Sequence, residues 1–203
     1  MKLHRIIIAI TCLVLLSANS YAAMTARQVL DKTASVLTNK SGASADFTVK
    51  NTKLGNSSGT IYIKGNKFHA TIPAGEVWYD GKTQWTYLKA NEEVNITTPS
   101  PSQQQVINPY TFIYLYKKGY KYEMAQNATT YSVTLLGEDQ SHGIGEMVIV
   151  INKKTFIPSL IRMRQGNSWT NITVMNFKKA KLADSIFQFD KRKYPKADII
   201  DLR

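Results

Sequence analysis

Residues 55–59 read Gly-Asn-Ser-Ser-Gly, the spacing G-x-S-x-G that in hydrolases lifts a nucleophilic serine onto a sharp strand-to-helix turn. That chemistry needs a buried strand before the serine, a helix after it and a histidine base within reach. The surrounding NTKLGNSSGTIYIKG instead predicts strand, polar turn and strand, so a hairpin loop is expected here. Of the three histidines, His4, His69 and His142, none stands at metal-ligand spacing from another. His69, between Phe68 and Ala70, fits the outward side of a half-buried strand. GIGEM at Gly143 lacks the third glycine and the helix of a dinucleotide loop. The carboxylates are scattered, with Asp80 in a turn dipeptide and Glu92-Glu93 beside a bend, and form no acid/base couple. These residues predict no catalytic centre, no metal site and no cofactor: a binding protein, not an enzyme.

What the chain concentrates is aromatic surface. EVWYDGKTQWTYLKANEEVNI, residues 76–96, sets two tryptophans and two tyrosines around one Asp-Gly. Asp80-Gly81 is expected at the centre of a two-residue type I′ turn, pairing Tyr79 with Lys82, Trp78 with Thr83 and Glu76 with Trp85. Trp78, Trp85 and Tyr87 then share one face, and Val77, Tyr79, Lys82, Gln84 and Thr86 the other. An aromatic plate of this size must be covered, by protein or by ligand.

The elements that position the plate follow from periodicity. TARQVLDKTASVLT, residues 25–38, carries Ala26, Val29, Leu30, Ala34 and Leu37 on one stripe, with Thr25 as N-cap. Short alternating strands follow, each bounded by Gly, Asn, Ser or Pro, which argues for an antiparallel sheet or barrel. Asn152 to Thr155 and Gly166-Asn167 turn two further hairpins. In the middle, Asn108-Pro109 reads as N-cap and first helical residue of an apolar inserted helix, residues 109–116, that Gly119 stops. The tail LADSIFQFDKRKYPKADIIDLR predicts a short turn and a last strand. The expected architecture is mainly β, within α+β: one strongly curved antiparallel sheet with an N-terminal helix and a short inserted helix. No repeat or second-domain boundary interrupts it.

Taking the alternation at face value, one sheet face presents Phe47, Val49, Ile61, Ile63, Phe68, Ile72, Trp78, Trp85, Tyr87, Val94 and Ile96. It continues through Tyr131, Val133, Leu135, Met147, Ile149, Ile161 and Met163. A sheet that wide exceeds the apolar surface two helices supply. Pattern alone leaves two readings open, a filled core or a hollow that accepts an apolar ligand.

The start MKLHRIIIAITCLVLLSANSYAA has a basic end, an apolar run too short for the ~20 residues of a bilayer span, and a small-residue exit. It predicts an export signal over residues 1–22, cleaved before Ala23, with residues 23–203 as one domain. Cys12, the single cysteine, follows Thr11 inside the apolar run and does not fit a lipidation site. The net charge is +12. Export and the spread of the basic residues argue against nucleic acid, which leaves an anionic membrane surface, an acidic partner, or solvated lysines at strand edges.

The stretches GTIYIKGNKF, DGKTQWTYLKANEEVNI, NPYTFIYLYKKGYKY and LADSIFQFDKRKYPKADIIDLR resemble the periplasmic outer-membrane lipoprotein carriers of LolA type. Asp-Gly-Lys followed by Trp and Tyr carries the resemblance, as does the closing pattern of Phe187, Phe189, Tyr194-Pro195 and a last acidic-apolar strand. The resemblance implies an unclosed β-barrel lidded by helices, in the periplasm, that shields lipoprotein acyl chains between inner and outer membrane. Implied partners are those acyl chains, an inner-membrane lipoprotein-releasing transporter and an outer-membrane acceptor, with the carrier a monomer and no nucleic acid involved. A lipid sensor or carrier of another lipid is the alternative with the same fold. The implied cavity wall is Phe47, Val49, Ile61, Ile63, Phe68, Trp78, Trp85, Tyr87, Val94, Ile96, Met147 and Ile149. The implied lid is Val29, Leu30, Leu37, Phe112, Ile113 and Leu115. The family's lid-holding arginine falls near Gly65 here, which makes Lys67 the candidate latch, and the glycine usual after Tyr-Pro is Lys196.

Overall fold

The computed structural model describes residues 23–51, 53, 55–100, 115–138 and 143–203. The expected leader, His142, and Phe112 and Ile113 of the expected inserted helix lie outside them. Helix α1 (Ala26–Leu37) starts where its sequence demands: Thr25 Oγ1 accepts from the amide of Gln28, whose side chain accepts from the Thr25 amide. This reciprocal capping box satisfies two of the helix's free donors. Val29, Leu30 and Leu37 on its apolar stripe are fully buried.

Twelve strands form one curled, unclosed sheet. They are β1 (Ala43–Asn51), β2 (Gly55–Lys64), β3 (Lys67–Ile72), β4 (Gly75–Tyr79), β5 (Gln84–Leu88) and β6 (Glu93–Thr97) in the first half. The second half holds β7 (Tyr120–Gln126), β8 (Thr130–Gly137), β9 (Glu146–Asn152), β10 (Pro158–Gln165), β11 (Ser168–Lys179) and β12 (Asp198–Asp201). Two meanders, β1–β6 and β7–β11, join where β1 pairs with β11, in the order β12-β6-β5-β4-β3-β2-β1-β11-β10-β9-β8-β7. β12 returns to lie parallel to β6, the one exception to the expected antiparallel pattern. β6 and β7, consecutive in the chain, therefore lie toward opposite edges of the sheet.

Two expectations about turns are corrected. Gly55–Gly59 is no loop: it is the first half of β2, laddered against β1 from Asn51↔Gly55 to Phe47↔Gly59. Its small polar residues sit in a strand because β1 gives them backbone partners. The aromatic hairpin turns one residue later than expected, at Gly81-Lys82, with Asp80 N donating to Thr83 O. The Asp80 carboxylate accepts from the amides of Lys82 and Thr83, which holds Gly81 at φ +102°. Trp78 consequently pairs with Trp85 and Glu76 with Tyr87. The shift moves the register by two residues, so side chains keep their faces. The hairpins at Asn152 and at Gly166-Asn167 fall where expected, whereas β7, alternating Tyr120, Tyr122 and Met124 with Lys121, Glu123 and Ala125, is an additional strand.

Tight coiling of the sheet has a visible cause. A Cβ on Gly59 would stand 2.0 Å from the Thr71 carbonyl oxygen, and one on Gly75 would stand 1.9 Å from that of Tyr87. Only glycine lets neighbouring backbones approach so closely.

Candidate functional site

The sheet carries apolar side chains on both faces, and the two are closed by different parts of the chain. On the inner face, Ala45, Ile61, Ala70 and Val77 form one cross-strand row, and Ile63, Phe68 and Tyr79 the next. Across the β1–β11 seam the face continues as Val49, Ile172, Ile161, Ile149 and Val133, with Met147 beside Leu135. Phe47, Ile61, Ile63, Phe68, Met147 and Ile149 are buried, and Val49 is partly buried against them. Val29, Leu30 and Leu37 of α1 and Leu115 close the same cluster, so the expected lid residues that the structure describes all meet this wall.

Among the described residues, few polar ties hold that cover. Tyr116 Oη donates to Asp31 Oδ1 at 2.6 Å, and Lys32 Nζ lies 4.9 Å from the centre of the Phe156 ring. Burial first, and then the Asp31 carboxylate, push the Tyr116 phenol well above its ordinary range. Phe156 itself holds φ +56°, a left-handed backbone that stacks its ring on Tyr131. Beyond Tyr79 the inner face turns polar: Gln84, Thr86, Asn95 and Thr97 follow across β5 and β6. Gln84 Nε2 donates to Thr86 Oγ1, and Asn95 Nδ2 to Glu93 Oε1.

The aromatic plate lies on the other face, which corrects the expectation of a single wall. Tyr62, His69, Trp78, Trp85 and Ile96 form one outer row, and Thr71, Glu76, Tyr87 and Val94 the next. The reason is parity. A two-residue turn pairs an even position with an odd one, so Phe68 faces Tyr79 and the adjacent His69 faces Trp78. Carrying even numbers across the β3–β4 turn, from Phe68 to Trp78, puts the two on one face when they stand on opposite ones. Trp78, Trp85, Tyr87, Val94 and Ile96 therefore do not share the surface of Phe47, Val49, Ile61, Ile63, Phe68, Met147 and Ile149.

Protein covers the plate. Residues 182–203 run across it through 3-10 turns at Asp184–Phe187 and Lys191–Lys193. Trp78, 4% exposed, stacks on His69 at 5.0 Å and meets the Phe189 and Tyr194 rings edge-on, each at 5.6 Å. Tyr87 and Tyr194 stand 4.7 Å apart. Lys67, expected as a latch over the inner face, points outward with Lys64. Their ammoniums lie 3.4 and 2.9 Å from Asp184 Oδ1, and Lys64 also donates to the Leu182 carbonyl. The Lys64 hydrogen bond holds the Asp184 carboxyl below its usual range. This outer closure was missed because its signal, Phe187, Phe189 and Tyr194 at irregular spacing, has no strand or helix period.

Among the described residues no group of His, Cys, Asp or Glu could hold a metal ion, and no helix is long and apolar enough to cross a membrane. The chemistry available is apolar contact on the inner face with amides and hydroxyls at one end.

Comparison with known proteins agrees with this geometry. The family described as outer membrane lipoprotein carrier protein LolA matches residues 16–167. No curated protein matches the chain in sequence. Among solved structures, an uncharacterized conserved protein from Thermus thermophilus aligns with a TM-score of 0.59 at 16% identity, covering 88% of this chain and 99% of its own. A LolA superfamily protein from Nitrosomonas europaea gives 0.48 at 15% identity, over 83% and 99%. A putative outer membrane lipoprotein-sorting protein domain from Vibrio parahaemolyticus gives 0.46 at 9% identity, over 85% and 100%.

Proposed function

The chain belongs to the LolA family of outer membrane lipoprotein carrier proteins, and from that premise we propose that it is a periplasmic carrier of lipoprotein acyl chains. The observation that supports this reading is the cover. Among the described residues, a 12-residue helix closes a broad apolar face with one side-chain hydrogen bond, Tyr116 to Asp31, and one cation–π contact. Such a helix has little stability of its own and is held by what it covers. Lifting it exposes Phe47, Ile61, Ile63, Phe68, Met147 and Ile149 as a wall for alkyl chains. The polar end at Gln84, Thr86 and Asn95 suits the ester and amide groups of an acylated N-terminus.

A moderate affinity follows from the same arrangement. Each buried CH₂ contributes about 0.8 kcal/mol, but the ligand must first displace α1 and Leu115 from the same surface. Release is then the reverse exchange, the cover reclaiming the wall. Residues 1–22 act as the export signal. The cargo is received from an inner-membrane transporter and given to an outer-membrane acceptor.

The test is a reversible lock. Lys32→Cys with Phe156→Cys, which ties α1 to the β9–β10 connection, in a Cys12→Ala background, is joined by a reductant-cleavable bifunctional thiol reagent. Uptake of a fluorescent acyl chain should stop in the locked form and return on reduction. Undiminished uptake in the locked protein overturns the moving cover.

A further inference from the structure

On the outer face, away from the apolar wall, a cleft of about 160 Å³ opens between the sheet and the C-terminal segment, lined by Tyr87, Glu92, Lys193, Tyr194, Lys196 and neighbouring Pro195 and Ala197. Its volume is about half the lower limit of a drug-sized pocket, too small for an acyl chain and suited to a polar group. The floor is aromatic, with Tyr87 and Tyr194 4.7 Å apart. The rim is basic.

Four cations crowd residues 191–196, and Arg192 alone among them is neutralised, its Nε and Nη2 each 2.9 Å from the Asp190 carboxylate. Lys191, Lys193 and Lys196 make no ion pair among the described residues, and all three are exposed. Unpaired lysines on a tail are ordinary. These are not on a tail: Tyr194, between them, is anchored through its hydroxyl to Glu76 Oε1 at 2.6 Å and through its ring to Trp78, Tyr87 and Phe189. Lys193 and Lys196 therefore line the cleft on either side of an anchored residue. On the facing wall, Glu92 is the carboxylate, held at φ +49° just before β6. A carboxylate repels a bare anion but accepts hydrogen bonds from hydroxyl groups.

We propose that this cleft binds a phosphate group that carries a small polyol. Lys193 and Lys196 meet the phosphate, Glu92 accepts from the hydroxyls, and the Tyr87 ring lies against the carbon chain. The same chemistry is offered by the glycerophosphate headgroup of an anionic lipid and by a free polyol phosphate. It does not depend on acyl-chain binding at the inner face, and the experiment keeps the two apart.

The full chain is titrated with phosphatidylcholine vesicles, with vesicles containing phosphatidylglycerol, and with glycerol 3-phosphate, the last followed by the amide resonances of Lys193, Tyr194, Lys196 and Ala197. Lys193→Ala/Lys196→Ala is compared with Lys178→Ala/Lys179→Ala, which removes the same charge from the exposed end of β11. Near an anionic surface each lysine is worth about 1 kcal/mol, so the cleft variant should lose roughly tenfold or more in phosphatidylglycerol binding and the β11 variant less than about twofold. Vesicle binding that glycerol 3-phosphate does not displace identifies the lipid headgroup as the source. Glycerol 3-phosphate shifts that vanish in the cleft variant identify the free compound. Equal losses in both variants, or no response to any of the three, overturn the site. Acyl uptake should be unaltered in the cleft variant, so a failed carrier test and a failed cleft test are separate results.

Discussion

Tyr194 Oη donates to Glu76 Oε1 at 2.6 Å, while the other oxygen of that carboxylate lies 2.8 Å from His69 Nε2. One strand residue is thus clamped between the sheet beneath it and the chain's C-terminal segment above it. Burial and the Glu76 charge keep the Tyr194 phenol protonated far above its ordinary range. Tyr194→Phe should cost about 1.5–3 kcal/mol, the range for a hydrogen bond to a charged group. Urea unfolding of the single variants and of the double variant with Glu76→Gln measures the coupling.

Trp78→Ala should be the costliest change on the outer face, about 3–5 kcal/mol for a buried aromatic. Trp85→Ala, in the same row but only partly buried, should cost clearly less. Comparable losses at the two positions would place the tail cover elsewhere.

High pH should loosen both covers. The Tyr116 and Tyr194 phenols are raised in the folded protein, so their stabilisation is complete below the unfolded value of about 10 and fades as pH climbs toward the folded ones. Urea midpoints should fall with rising pH above about 10. The Tyr116→Phe/Tyr194→Phe variant should start lower and fall less over that range. At neutral pH, Tyr116→Phe alone should speed hydrogen exchange in α1 more than in β9 and β10.

Acid acts on the other anchor. Asp184 is depressed by Lys64 and, less, by Lys67, so its contribution is present above the unfolded value of about 4 and is lost as pH drops through the folded one. Asp184→Asn should lower stability at pH 7 and flatten the acid limb of the curve, read by Trp fluorescence.

Gly75→Ala should destabilise by about 1–3 kcal/mol, the cost of forcing extra volume into a packed contact, because its Cβ would meet the Tyr87 carbonyl. Gly143→Ala, with open space around it, is the matched control and should be near neutral.

Local chemistry was legible in the sequence and long-range pairing was not. Thr25 and Gln28 announce the start of α1, and Gly166 and Asn152 announce their turns, because each acts on residues within one turn of itself. The strongly curved antiparallel sheet followed from strand spacing, and the family and the unclosed barrel followed from the resemblance carried by Asp80-Gly81-Lys82 with Trp85 and Tyr87 and by the closing Phe-Phe-Tyr-Pro pattern. Facing was readable inside each strand: Trp78, Trp85 and Tyr87 do share a side. It failed between β3 and β4, where parity must change hands across a two-residue turn. Lys67 was placed as a latch by the resemblance and not by facing: Ile63 pairs with Phe68, and the adjacent Lys64 and Lys67 must point the other way. Nothing local in the aromatic hairpin says that its partner is Tyr194, on the far side of five intervening strands.

That separation has a consequence for how the chain comes together. β2 to β6 form by successive hairpins, each closing over a few residues, so the plate of Trp78, His69 and Tyr87 exists early. Its cover lies in the chain only beyond β7 to β11, and β12 docks on β6 in parallel, a pairing no hairpin can nucleate. Until those residues arrive, an apolar sheet face stands open to water, to other chains and to proteases. Removing residues 183–203 would fix the protein in that exposed stage, with its inner fold formed and its outer tryptophan uncovered.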